Sequence, residues 1–454
     1  MRSVSILSFL APALLSGVSA APFNNGAACG LPAKVTTYVT ESHYTPPPEP
    51  PTTSISPPVS TSLPPTATTS ISPPESSSTS SFTSIPVSSS TSLPASSSTS
   101  TPGPSASCRP TSWTREGHAP SVGKLRAALI FVDFPDMPAN TSVSELYSLV
   151  ETAPAELYKQ MSYGKLELEL VPLLDKFYRM PAASSSYNYS RALTTEAHLK
   201  YINDALTAVG PSVSFAGIDV LYVLPAKYAS EISTSTATSA DVTALDGTVI
   251  GNSVTFGQDL YFSWGYKTVN HETGHTLGLP DLYPYVGGTV PQWVGGFDLM
   301  GLIGGQSPDY LAWHKWQLGW VADNQVECIA SAGKTTHRLS PIEVAGETTK
   351  AIAVPLNGTA YLLAEVRSGL GIDAGACGTG VLLYTANTAV SGGSGPIRVI
   401  DSKPNSNGCG NNNGGELNDA PLAVGTSFNT GLGVVVTVTG QEGDDYIIEV
   451  EQRI

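Results

Sequence analysis

Charge is scarce in this sequence, and positive charge scarcest. Only 13% of the 454 residues are charged, against roughly 25% in an average soluble domain. The 22 Lys+Arg are outnumbered by 37 Asp+Glu, for a net charge of −15. A nucleic-acid-binding protein needs a basic face to offset phosphate charge, so this balance argues against that class. It also gives no electrostatic pull towards anionic lipid. After the N-terminal stretch there is no apolar run of about 18 residues, so no membrane span is expected in the mature chain. Cysteine is sparse, five in all, and no Cys-x-x-Cys spacing occurs, which argues against a thiolate zinc site.

What is plentiful is concentrated at the N-terminus. Arg2, a short apolar stretch through Leu15, and small residues at Val18 and Ala20 read as a secretory signal peptide over residues 1–20. A short segment, 21–44, follows. Residues 45–107 are almost entirely Ser, Thr and Pro, with Thr-Thr-Ser-Ile-Ser-Pro-Pro starting at Thr52 and again at Thr68. Such a tract has too little apolar surface to offset the entropy of ordering itself, so a disordered linker is expected, and exported Ser/Thr-Pro tracts are commonly O-glycosylated. Its bland reading is a passive spacer; a cell-wall attachment role carries no mark in the sequence. Export makes disulfides the expectation for Cys29, Cys108, Cys328, Cys377 and Cys409. Five is odd, so one thiol stays free or pairs outside the chain. Cys377 with Cys409, both in Gly-rich turns of one region, is the preferred bridge.

Folded sequence begins near Cys108. Leu125 to Phe134 is a nearly continuous apolar run, as a strand buried on both faces requires. Ser144 to Glu156 reads as helical. Lys165 to Val171 alternates, with Leu166, Leu168 and Leu170 on one face. Thr194 to Val209 has helical periodicity stopped by Gly210, and Ile218 to Leu224 is another buried strand. Beyond Trp320 the chain changes to six short β-rich runs separated by Gly, Asn and Asp turns. An α+β fold is expected, with a catalytic domain over 108–321 and a small antiparallel β-sandwich over 322–454. Asn140, Asn188 and Asn357 head Asn-x-Ser/Thr triplets, consistent with an exported glycoprotein.

The chemistry is concentrated in Val269 to Tyr283, VNHETGHTLGLPDLY, which holds His-Glu-x-x-His at His271, Glu272 and His275. On a helix, residues four apart share a face, so both imidazoles can reach one ion. Glu272 is then placed to take a proton from water on the metal, whose pKa zinc lowers to roughly 7. Catalytic zinc needs a third protein ligand and an open position. Gly278 can end the helix in a left-handed residue, and Asp281 arrives on the return. Chance produces His-Glu-x-x-His on the order of four times per thousand such chains, and requiring Gly278 and Asp281 lowers that roughly 250-fold. The competing reading has Asp281 as a turn residue, with His314 the first alternative ligand to test.

HETGHTLGLPDLY, FDLMG at Phe297 to Gly301 and AWHKWQLGW at Ala312 to Trp320 together resemble secreted zinc metallopeptidases of the immune inhibitor A type. The resemblance covers about Leu125 to Tyr384 and implies a metzincin-like fold. It implies His271, His275 and Asp281 as zinc ligands and Glu272 as general base and acid. Met300 matches the methionine of the turn beneath the metal. Leu302 stands where some metzincins carry a zinc-binding tyrosine, so no such ligand is expected. Tyr283 and Tyr310 are candidate oxyanion helpers, with a structural role the stronger reading for each. Ser307, Pro308 and Asp309 read as the capped start of a helix through Trp316, with Trp313 and Trp316 as core anchors. Cys29-Gly30-Leu31-Pro32 is similar to the Cys-Gly-x-Pro of matrix-metalloproteinase leaders, although a disulfide is the better reading of Cys29.

The expectation is therefore a secreted, monomeric zinc endopeptidase acting on extracellular protein or peptide. A binding module that kept a dead peptidase fold is the alternative; the presence of Glu272 speaks against it. A zinc amidase or deacetylase of another fold does not use this helix-borne pair with this return. Calcium could be held by Asp373 or the loop Asn411 to Asp419, but no spaced carboxylate motif is present and turns are the expectation.

Overall fold

The computed structural model describes residues 108–190, 193–409 and 415–453. The signal peptide, the segment with Cys29, the Ser/Thr/Pro linker and Asn411 to Gly414 lie outside the described residues. The fold is mixed α+β, with five α-helices and four sheets among those residues. In chain order the strands are β1 (Gly123–Asp133), β2 (Leu166–Pro172), β3 (Tyr178–Arg179), β4 (Val220–Pro225), β5 (Thr236–Thr238), β6 (Val242–Thr243), β7 (Val249–Ile250) and β8 (Ser253–Thr255). The strands that follow are β9 (Val326–Cys328), β10 (Gly333–Leu339), β11 (Ala351–Pro355), β12 (Ala360–Arg367), β13 (Gly380–Asn387), β14 (Ile397–Val399), β15 (Ser427–Asn429), β16 (Val434–Glu442) and β17 (Asp445–Gln452). The helices are α1 (Val143–Tyr147), α2 (Ala153–Met161), α3 (Thr195–Val209), α4 (Gly265–Thr276) and α5 (Ala312–Gln317).

The first sheet runs β2-β1-β4-β8-β5, with β3 also on β1. All pairs are parallel except β5 with β8. The apolar run of β1 is buried on both faces because alternate residues serve two cores. Leu125, Ala127, Leu129 and Phe131 join the core shared with Val269 of α4, while Ala128, Ile130 and Val132 pack with Tyr201, Ile202 and Leu206 of α3. α3 is the helix its periodicity promised, capped by Thr194 and stopped at Gly210. The single helix expected over 144–156 is two. Pro154 sits in the first turn of α2, where its missing N–H costs nothing, whereas inside a longer helix it would break the ladder.

The β-rich half forms two sheets, β10-β17-β16-β15 and β14-β13-β12-β11-β9, antiparallel except for β9 against β11. Their facing residues, among them Ile352, Leu362, Val436 and Ile448, share one core. β10 escaped the sequence reading because its residues are exposed along most of their length and show no alternation. Residues on both sides of position 321 share a single hydrophobic cluster, which holds Trp316, Trp320 and Val321 together with Ile342, Leu363 and Tyr384. Disulfides join Cys377 to Cys409, the expected pair, and Cys108 to Cys328. The three sequon asparagines are exposed. No helix of the described residues is long and apolar enough to cross a membrane.

The helix expected from Ser307 begins later, at Ala312, with Leu311 as its N-cap. Its first N–H groups are satisfied from far away in sequence. Leu311 N donates to Asp298 Oδ2, Ala312 N to Glu365 Oε2 and Trp313 N to the Tyr384 hydroxyl. Asp309 is drawn out of the helix into a buried ion pair with Lys315 at 2.6 Å. Trp313 and Trp316 are buried and pack edge-on against Trp113, in keeping with the anchor reading.

Candidate metal centre

Helix α4 is polar in composition yet buried on nearly every side. Two of its side chains find partners inside the core: Thr273 Oγ1 donates to Val269 O on the same helix at 2.6 Å, and Asn270 Nδ2 to Pro154 O of α2 at 2.9 Å. Gly274 has no room for a side chain. A Cβ there would lie 2.7 Å from both Met300 Sδ and the Tyr310 hydroxyl. Met300 is thus packed beneath the helix, and Tyr310 lies behind it, fully buried and stacked on Trp320. Tyr310 is therefore structural. Gly274→Ala should destabilise by about 1–3 kcal/mol from overpacking, although helix propensity alone favours Ala by about 1 kcal/mol. Thermal unfolding decides between the signs, and a raised midpoint would refute the packing argument.

After Leu277 the chain reverses at Gly278, where φ is +90° and a Cβ would meet the His118 ring at 2.9 Å. Leu279 N returns to Gly274 O at 3.0 Å, closing the helix end. The return brings Asp281 back over the helix. The donor atoms of His271, His275 and Asp281 lie within 4.8 Å of one another, the one such group of three among the described residues. Glu272, 6% exposed, lines the same cleft of about 570 Å³ as His271, Asp281, Tyr283 and Tyr285. His314 lies elsewhere, with its Nδ1 2.9 Å from Asp298 Oδ2. Asp373 is committed to Arg367 and to the Asp309 N–H.

Hydrogen bonds set the ring states. His271 Nδ1 is 2.9 Å from Leu299 O, and His275 Nδ1 is 2.8 Å from Leu279 O. A carbonyl only accepts, so both Nδ1 atoms carry protons, and each neutral ring presents its Nε2 lone pair. The two Nε2 atoms face one oxygen, Asp281 Oδ1, at 3.1 and 3.2 Å. That oxygen is buried and has no other hydrogen-bond partner. With both rings neutral, three acceptors converge; either a proton on Nε2, shared with Asp281, or a metal cation relieves that clash. Donors about 2.0–2.1 Å from one tetrahedral ion stand roughly 3.3 Å apart; the two Nε2–Oδ1 separations match that value, and all three atoms lie within 4.8 Å, so the triad is within metal-ligand distance.

Electrostatics in the site follow from the same contacts. Burial lowers the His271 pKa, but Asp281, Glu272 and the Leu299 carbonyl outweigh it and carry the value up to about 9. His275 is raised for the same reasons, burial again opposing and Asp281 prevailing. Burial alone would raise the Asp281 carboxyl; the two imidazoles pull it well below the usual range. Glu272 is raised by burial against the pull of both histidines. That direction suits a base working near neutral pH.

The turn holding Leu299 is fixed by Asp298, whose Oδ1 accepts from Met300 N and Oδ2 from Leu311 N and His314 Nδ1. Leu282 N donates to Met300 O at 2.9 Å, so this turn sets both the His271 ring and the Asp281 loop. Tyr283 stacks on His271 with ring centroids 6.1 Å apart. Asp298 was not singled out in the sequence, although it stands inside FDLMG; its role depends on Leu311 and His314, which lie well beyond that segment. Comparison with models of known protein families finds no match for the chain, and neither does comparison with curated proteins.

Proposed function

We propose that this chain is a zinc-dependent endopeptidase of metzincin type, similar to the immune inhibitor A enzymes, and that it acts on protein outside the cell. The observation that carries the reading is the convergence of two Nε2 lone pairs and Asp281 Oδ1 beside Glu272 in an open cleft. Zinc held by His271, His275 and Asp281 would supply Lewis acidity, polarising a carbonyl and acidifying water.

The remaining chemistry belongs to the chain. Glu272, with its pKa raised by burial, takes the proton from the attacking water and later delivers it to the leaving amine. β5 ends the first sheet, and Thr234, Ser235 and Thr236 line the cleft. An extended peptide can add to that edge through main-chain hydrogen bonds, which favours protein substrates over small molecules. Two disulfides and the −15 net charge suit an oxidising compartment and a protein that stays in solution.

The purified full chain should hold a single zinc ion and hydrolyse casein. A chelator should abolish hydrolysis, and added zinc should restore it. Full hydrolysis by zinc-depleted protein would overturn the proposal.

A further inference from the structure

His271 and His275 share one helix, and each has its Nδ1 tied to a backbone carbonyl. Asp281 has neither advantage, since it lies on the return loop. Its Oδ1 faces the two Nε2 atoms, while its Oδ2 accepts a hydrogen bond from the Tyr285 hydroxyl at 2.8 Å. Tyr285 is 63% exposed, so burial does not hold its ring in place. The backbone does. Tyr285 N donates to Gly393 O at 3.2 Å, and Gly393 N donates to Asp281 O at 3.1 Å.

Gly393 lies in the turn between β13 and β14, in the β-rich half of the chain. Its φ is +71°, and a Cβ there would lie 2.2 Å from the Tyr285 ring. At Gly392 a Cβ would lie 3.3 Å from both Asp281 N and Pro280 Cβ. The turn is fitted closely to the Asp281 backbone and to the face of Tyr285, and neither fit accepts a side chain without movement.

We propose that Tyr285 is a positioning residue for Asp281, set in place by the Gly392-Gly393 turn. The proposal rests on the metal-centre reading above. A carboxylate on a loop can rotate, or offer both oxygens to an ion. With Oδ2 occupied by the tyrosine hydroxyl, one oxygen is presented. The protein then contributes three donor atoms, and the open position that catalytic zinc needs is preserved. Partners that orient a ligand in this way typically account for 10–100-fold in metal affinity.

Tyr285→Phe removes one oxygen and leaves the ring. In the full chain it should raise the zinc dissociation constant roughly 10–100-fold, measured by competition with a chromogenic chelator. The unfolding midpoint of the metal-free protein should not move. Cobalt(II) provides a second readout: the ligand-field band of the variant should weaken as the freed oxygen enters the coordination sphere. Gly393→Ala touches no candidate ligand side chain, yet it should raise the same constant. Combining it with Tyr285→Phe should cost less than the sum of the two, because they share the Tyr285 hydroxyl; the part of Gly393→Ala that remains acts through its N–H bond to Asp281 O. An unchanged zinc constant and cobalt spectrum in Tyr285→Phe would overturn the proposal and leave the metal centre standing. Weaker zinc binding accompanied by a lower metal-free midpoint would mark a merely structural tyrosine, and overturn it too. Wild-type protein that takes up neither zinc nor cobalt would end both readings.

Discussion

Glu272→Gln should lower peptide hydrolysis by roughly 10²–10⁴-fold while zinc content stays near the wild-type level. The substitution keeps size and hydrogen bonding and removes only the proton acceptor. Glu272 is not one of the three converging donors, so nothing in the Nε2 and Oδ1 geometry depends on its charge. Asp281→Ala should behave in the opposite order. It deletes the oxygen on which both imidazoles converge, so zinc is lost first and activity with it. Excess zinc should partly restore Asp281→Ala and leave Glu272→Gln inactive. Metal content by atomic absorption, read beside turnover, separates the two. Zinc missing from Glu272→Gln but retained by Asp281→Ala would mean that the roles of these carboxylates are exchanged.

Arg367→Ala should be among the most destabilising single substitutions in the chain, at about 3–5 kcal/mol. Its guanidinium, on β12, is wholly buried. It donates to Glu365 Oε1 at 2.8 Å, Asp373 Oδ2 at 2.5 Å, Phe297 O at 2.7 Å and Asp309 O at 3.1 Å. Truncation would strand two buried carboxylates, and that penalty, more than the lost attraction, sets the size of the effect. Against a total stability of about 5–15 kcal/mol, such a loss endangers folding. Arg367→Lys keeps the charge but lacks the planar fork, so it should recover only part of the loss. The loss would also reach the candidate metal centre, because Phe297 directly precedes the Asp298 turn whose Leu299 carbonyl orients His271. Urea unfolding followed by tryptophan fluorescence gives the number. A variant within 1 kcal/mol of wild type would show that the buried network is not what holds these segments together.

Local signals were legible where one segment supplies its own partners. β1, α3 with its Thr194 cap, and the reversal at Gly278 are each written in a few neighbouring residues. The Ser307-Pro308-Asp309 start was misleading for a physical reason. Its cap signals were real, but Asp298, Glu365 and Tyr384 satisfy N–H groups four to six residues after Ser307, and Lys315 draws Asp309 away. Pro154 divides the 144–156 segment, because proline fits the first turn of a helix and not its interior.

Which atoms can meet is encoded in short stretches of the chain. The four-residue spacing of His271 and His275 puts both on one helix face, and Gly278 permits the return that carries Asp281 to them, because helix periodicity and left-handed glycine are local properties. How those atoms are aimed depends on contacts between distant segments. The Nδ1 protons are fixed by the carbonyls of Leu299 and Leu279, and Asp281 is held by Tyr285 and by a turn more than a hundred residues further along. A hydrogen bond is fixed by distance and angle in space. Nothing in the order of residues along the chain indicates that Gly393 will meet Tyr285 until the sheets have packed.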